Sequence, residues 1–318
     1  SARVDPVMSD EPWTFGQTPG RLLTTPNFRI FTTVDDNIIL DRTPRFVEFA
    51  LAHYTEALGP IPKPTAKLET YILGTRPQWE SLTRRIAGAA APTYLRIQRG
   101  GFAREGRGVY WDIGPQNTFQ IAAHEGWHQY TQATFRHHLP VWLEEGIACY
   151  MEGFRWHSEQ RGVPIFRPWA NAERFDTLRR VHARGDLVPL EDLLVSRPQE
   201  LVNTSGDATV AYYAQTWALV HFLHESDSGR HAEALKVLLQ DAAEGTLYTN
   251  VAGRLGRDAA RSALLKRRGD AVFRTYFDEN VDAASERYRK FVDAIVGTGS
   301  RNAIVAGRSP LAASSAGG

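Results

Sequence analysis

The 318-residue sequence predicts an α+β protein with a sheet-bearing N-terminal lobe and a mostly helical C-terminal lobe. Three observations carry that expectation. Short strand-like apolar runs bounded by turn residues all lie ahead of residue 115. Beyond it, apolar residues recur at helical spacing in one segment after another. No internal repeat and no long linker divides the chain, so residues 27–296 read as one domain, its sheet lobe at 27–115 and its helical lobe at 116–296.

The first 26 residues, with Pro6, Pro12, Pro19 and Pro26, read as an irregular leader. Strands of a small mixed sheet are expected at 27–33 (NFRIFTT), 66–73 (AKLETYIL), 93–98 (TYLRIQ) and 108–113 (GVYWDI). Between the first two, TPRFVEFALAHYTEALG places Pro44 just inside a helix start and Gly59 just past its end. A second helix, RPQWESLTRRIAG, spans 76–88 and closes at Gly88. Helices are then expected at about 117–137, 140–153, 172–184, 208–225, 230–243, 257–267 and 283–296. The small, polar tail 297–318 reads as loosely ordered.

Composition excludes several function classes. Lys plus Arg is 37 and Asp plus Glu 36, a formal charge of +1, and no basic stripe interleaves with aromatics, so a nucleic-acid partner is not expected. No run of eighteen apolar residues exists, so no membrane span is expected. The single cysteine, Cys149, excludes an intrachain disulfide and a cysteine-rich zinc knuckle. Cysteine poverty suits a reducing cytoplasm and exported bacterial proteins alike. One expectation is export by a signal segment upstream of Ser1, and the compartment stays open.

The segment AAHEGWHQYTQ, residues 122–132, carries the chemistry. Residues four apart share a helix face, so His124 and His128 can aim imidazole nitrogens at one ion, with Glu125 beside that face. Zinc accepts imidazole and carboxylate ligands, and a catalytic site keeps one position for water. Bound zinc brings that water's pKa toward roughly 7, and a carboxylate base completes its activation. Against the helix, Gly126 costs about 1 kcal/mol relative to Ala. A third ligand is still required. Downstream, LPVWLEEGIACYMEG (139–153) opens a second helix at Pro140 and offers Glu144 and Glu145.

HExxH followed by a WLxEGxA helix resembles the gluzincin zinc metallopeptidases, the clan of thermolysin and aminopeptidase N. The pattern looks most like the largely uncharacterised peptidase-MA-like families, and it covers about residues 116–225. The resemblance implies a zincin-like fold with an active-site cleft between the two lobes and one Zn2+. It also implies a peptide or protein substrate. In the aminopeptidase branch the segment reads WLNEGFA, and its glutamate before glycine is the third ligand. By position that residue is Glu145, with Glu144 at the asparagine. Sixteen residues separate His128 from Glu145, fewer than in the better-known branches, so the choice between the two glutamates stays open. A metzincin is excluded, because HEGWHQYTQAT lacks that group's later glycine and third histidine. His137 and His138 read as surface residues at a helix end.

Supporting roles fall on three further residues. Glu152, seven after Glu145, lies on the same helix face and suits the outer partner of a ligating histidine; a solvated helix-end glutamate is the competing reading. Aligning YAQT of the 208–225 helix with the Tyr-x-Lys-Gly of the aminopeptidase branch makes Tyr213 the oxyanion donor. Packing against Trp217 would be its structural alternative. His221 is a lesser candidate for the same role or for substrate binding. The segment 106–114 (GRGVYWDIG) is the natural edge strand for pairing with extended substrate. No Gly-x-Met-Glu-Asn motif is present, with only Glu105 and Asp112 as nearby acids, so aminopeptidase activity is not implied. Two alternatives to a peptidase remain: a catalytically silent zincin-like binding module, and a zinc hydrolase of a non-peptide substrate such as an ester or epoxide.

Overall fold

Six strands form the principal sheet of the computed structural model, which describes residues 5–202 and 206–311. They are β1 (Ser9–Phe15), β2 (Thr18–Thr24), β3 (Phe28–Thr32), β4 (Leu68–Leu73), β5 (Gly101–Arg104) and β6 (Arg107–Trp111), in the order β1-β2-β3-β4-β6-β5. Pairing is parallel at β3–β4 and β4–β6 and antiparallel elsewhere, which makes the sheet mixed. The helices are α1 (Asn37–Glu56), α2 (Arg76–Ala87), α3 (Ala91–Tyr94), α4 (Pro115–Thr134), α5 (Val141–Met151), α6 (Ala172–Arg184), α7 (Leu190–Val195) and α8 (Pro198–Val202). They continue with α9 (Gly206–Glu225), α10 (Ala232–Glu244), α11 (Leu247–Leu255), α12 (Arg257–Lys266), α13 (Asp270–Tyr276), α14 (Val281–Ile295) and α15 (Ser300–Val305). A hairpin, β7 (Phe154–Trp156) with β8 (Pro164–Phe166), forms a second small sheet.

Several expectations need correction. The leader 1–26 is not irregular: β1 and β2 form a hairpin there, while its first four residues lie outside the described residues. Its prolines misled because Pro12 sits in an edge strand, where no ladder hydrogen bond is demanded of it. The run 93–98 is not a strand. Tyr94, Leu95 and Ile97 instead pack on the core of Phe15, Leu73, Trp79, Leu82, Phe102, Val109 and Trp111, so their apolar pattern reports burial rather than sheet pairing. The strand is β5. Pro44 does not start α1 but lies inside it, because Asp36 caps the helix earlier, its Oδ1 accepting from the N–H groups of Ile38 and Ile39. The tail contains α15, which buries Ser300, Ala303 and Ile304; residues 312–318 lie outside the described residues.

The chain forms two compact units that interleave in sequence. The first comprises the chain up to Thr55, Lys63–Thr134 and Phe154–Phe166. The second comprises Glu56–Pro62, Phe135–Gly153 and the chain from Arg167 onward. The expected lobe boundary at 115/116 is therefore displaced: α4 and the β7–β8 hairpin belong with the sheet. In the first unit Phe46 of α1 packs against Phe119 of α4 and Phe154 of β7, with ring centroids 4.8 and 5.0 Å apart. In the second, α5 and α6 both pack on α9. Among the described residues no helix is long and apolar enough to cross a membrane.

Candidate metal centre

The helix α4 starts where the chain can turn sharply into it. Gly114 takes φ +91°, Pro115 supplies a pre-set first residue, and the Asp112 carboxylate accepts from the Gly114 N–H at 2.8 Å. Two ties then fix its position in the first unit. Gln129, buried, donates to the Glu69 carbonyl of β4 at 2.7 Å and accepts from the Thr70 hydroxyl at 3.2 Å. The Tyr54 hydroxyl of α1 donates to the Ala123 carbonyl at 2.7 Å. Gly126 makes that second tie possible, since a Cβ there would lie 2.5 Å from the Tyr54 oxygen. The glycine that costs the helix propensity is the one that admits Tyr54.

This anchoring presents His124 and His128, both part-buried, with their Nε2 atoms 3.3 Å apart and their rings at 72°. Two nitrogens each about 2.05 Å from a tetrahedral zinc stand about 3.3 Å apart, so the spacing matches one edge of such a site. A direct ring-to-ring hydrogen bond also spans that distance, but it calls for no neighbouring carboxylate. Glu125 is part-buried on the adjoining face. Burial holds the Tyr54 and Tyr110 phenols well above their usual range, and the Glu125 charge pushes both the same way. Both phenols therefore remain protonated.

In the second unit α5 begins after Pro140, whose carbonyl accepts from Leu143 and Glu144. Nearly the whole helix is buried, Glu144 included, while Glu145 is partly exposed. Gly146 has a packing reason of its own. A Cβ there would meet the Thr216 carbonyl oxygen of α9 at 2.7 Å and the Val220 side chain at 2.9 Å. Burial raises the Tyr212 phenol, and the nearby Glu145 carboxylate adds to that shift.

His124 and His128 belong to the first unit, and Glu144, Glu145, Cys149 and Glu152 to the second. Two imidazoles with one carboxylate, the set expected from sequence, suit zinc.

The remaining candidates are placed as follows. Glu152 is not a solvated helix-end residue. It is buried, accepting from Arg174 Nη2 at 2.8 Å, Arg174 Nε at 3.1 Å and Asn171 Nδ2 at 2.7 Å. Tyr213 is part-buried on α9, with the Arg174 guanidinium 5.2 Å from its ring centroid. His221 is fully buried, which corrects its reading as a substrate or oxyanion contact. It stacks on Trp169 at 3.6 Å, and its Nδ1 pairs with Glu225 at 3.1 Å. Burial lowers its pKa, so the ring stays neutral and serves the aromatic core. The expected substrate strand, 106–114, is also corrected: β6 lies between β4 and β5, and β5 is the edge.

Sequence reasoning missed Arg174 and Asn171. Asn171 carries a readable signal, since its Oδ1 caps α6 by accepting from the Arg174 N–H. A surface-type residue such as Arg174 gives no local sign that it will be part-buried against Glu152.

A family described only as a protein of unknown function, DUF1570, matches residues 118–244. The match takes in most of α4, all of α5 and all of α10, and so includes both helices that carry the expected ligands. No curated protein matches the chain.

Proposed function

We propose that the chain is a zinc-dependent hydrolase of peptide bonds, with His124, His128 and Glu145 as ligands and Glu125 as the base. The observation that carries this reading is the pair His124 and His128, their Nε2 atoms 3.3 Å apart as two ligands of one tetrahedral ion stand, with Glu125 adjoining the first. Zinc, when bound, supplies a Lewis acid that polarises a carbonyl and acidifies water. Glu125 takes the proton of the attacking water and returns it to the leaving amine. Tyr54 and Tyr110, held protonated beside Glu125, do not compete as bases. Tyr213 donates to the oxyanion. An extended peptide would pair along the edge strand β5. The resemblance of HEGWH and WLEEGIA to the gluzincin pattern supports the same roles.

The test is Glu125→Gln. Purified protein is expected to bind one zinc as wild type does, while chelator-sensitive cleavage of a peptide library falls by about 10²–10⁴-fold. Cleavage that survives the substitution would overturn the mechanism. A zinc-loaded wild type inert on peptides and active on esters or epoxides would move the substrate class.

A further inference from the structure

We infer that a cavity in the second unit, where the end of α9 meets α14, binds a small organic carboxylate with an apolar body. The inference does not depend on the zinc reading. The cavity measures about 380 Å3, within the range of ligand pockets, and every residue lining it belongs to the second unit. Phe222 of α9, Phe291 of α14 and Leu311 give it an apolar wall, the two phenyl rings 5.7 Å apart. Arg287, Lys290 and Phe291, three and four residues apart on α14, share one helix face. Ser226 and Arg287 also line the cavity, and among the described residues neither the buried Ser226 hydroxyl nor the buried Arg287 Nε has a hydrogen-bond partner. Ser226 is only 7% exposed. Asp278 accepts from Arg287 Nη2, which fixes the guanidinium and leaves Nε unused. A guanidinium N–H can only donate and a hydroxyl can donate as well, so the two together call for an acceptor. A buried donor without a partner costs free energy that a ligand would recover, and a carboxylate meets both donors with charge-assisted bonds. Lys290 adds a cation at the exposed rim. Two acids line the cavity too. Glu225 is already engaged: Trp169 Nε1 donates to its two oxygens at 2.8 and 3.0 Å, and His221 Nδ1 pairs with it at 3.1 Å. Asp227 is exposed, where water weakens its repulsion. The turn after α9 holds Asp227 and Ser228 at φ +49° and +58°, an uncommon setting for residues other than glycine and one that gathers at ligand clamps.

The experiment titrates the full chain by calorimetry with 3-phenylpropionate and, as its uncharged counterpart, 3-phenylpropanol. The acid is expected to bind saturably, and the alcohol about 10-fold more weakly or less. Ser226→Ala should weaken acid binding about 10-fold, because a hydrogen bond to a charged group is lost. Arg287→Met should weaken it further. Should Arg287→Met not fold, Ser226→Ala carries the test, since its hydroxyl has no partner in the chain to lose. No saturable binding of the acid, or equal binding of acid and alcohol, overturns the inference. Acid binding unchanged in Ser226→Ala also overturns it, since the acid would then sit elsewhere, as on the proposed zinc.

Discussion

Replacing Gly126 by alanine sets helix propensity against packing, and the two give opposite signs. Propensity alone favours alanine in a helix interior by about 1 kcal/mol. The structure puts the new Cβ 2.5 Å from the Tyr54 hydroxyl, about 1 Å inside ordinary contact. Tyr54 is almost fully buried, edge-on to Trp127 and stacked near Tyr130, so its ring has little room to retreat. Relief requires giving up the 2.7 Å bond to Ala123, costing about 1 kcal/mol, together with overpacking strain of about 2 kcal/mol. The net is a destabilisation of about 2 kcal/mol, read as a lower urea midpoint at unchanged m-value. Tyr54→Phe removes the clashing oxygen and leaves ring carbons at 3.4 Å, an ordinary contact. In a double-mutant cycle, Gly126→Ala should therefore be tolerated, or even stabilising, in the Tyr54→Phe background. A Gly126→Ala single variant more stable than wild type would refute the reasoning.

Two further expectations concern stability. Gly146→Ala should cost about 2–3 kcal/mol, because its Cβ meets the Thr216 backbone carbonyl, which cannot rotate away as a side chain can; an unchanged urea midpoint would show that α5 and α9 are less closely seated. Burial pushes the His53 imidazole down to about 4, and its Nε2 has no partner. The unfolded chain protonates this ring near 6.5 and the native one does not, so stability falls as pH drops from about 6.5 to 4 and levels off below. The full gap is worth about 3 kcal/mol. Chemical denaturation across that range should give a flatter pH profile for His53→Leu than for wild type, and superimposable profiles would count against it.

The fold was legible in the sequence where periodicity is long. The helix α6 falls on its expected bounds, and α4, α5, α9 and α14 lie within a few residues of theirs, because each presents several turns of apolar spacing. Proline misleads twice, for different reasons: Pro12, a strand breaker by type, is tolerated in an edge strand, and Pro44, a helix starter by type, is overridden by the earlier Asp36 cap. The short α7, α11 and α13 escaped because one or two turns give no measurable period. Within the candidate site, the residues that would touch an ion follow from local spacing. Those that would hold them follow only from tertiary contact. Glu152 looked half-solvated because its partner Arg174 stands 22 residues away on another helix.

The energetics of α5 bear on whether the site is more than scaffolding. Of its eleven residues, nine are buried, yet the segment carries three glutamates, Glu144, Glu145 and Glu152 at its C-cap. Each carboxylate withdrawn from water costs several kcal/mol unless paired and hydrogen-bonded. Glu152 recovers that cost through Arg174 and Asn171. Glu145, part-buried, would recover it as a ligand of the proposed zinc. A helix selected for packing alone would carry leucine at such a position, as α5 does at Leu143, and gain about 2 kcal/mol by burying it. The chain instead carries Gly126 and Gly146, at a cost in helix propensity, where α4 seats against Tyr54 and α5 against α9. Propensity and desolvation both run against these positions locally, as they would where the proposed zinc site sets the sequence.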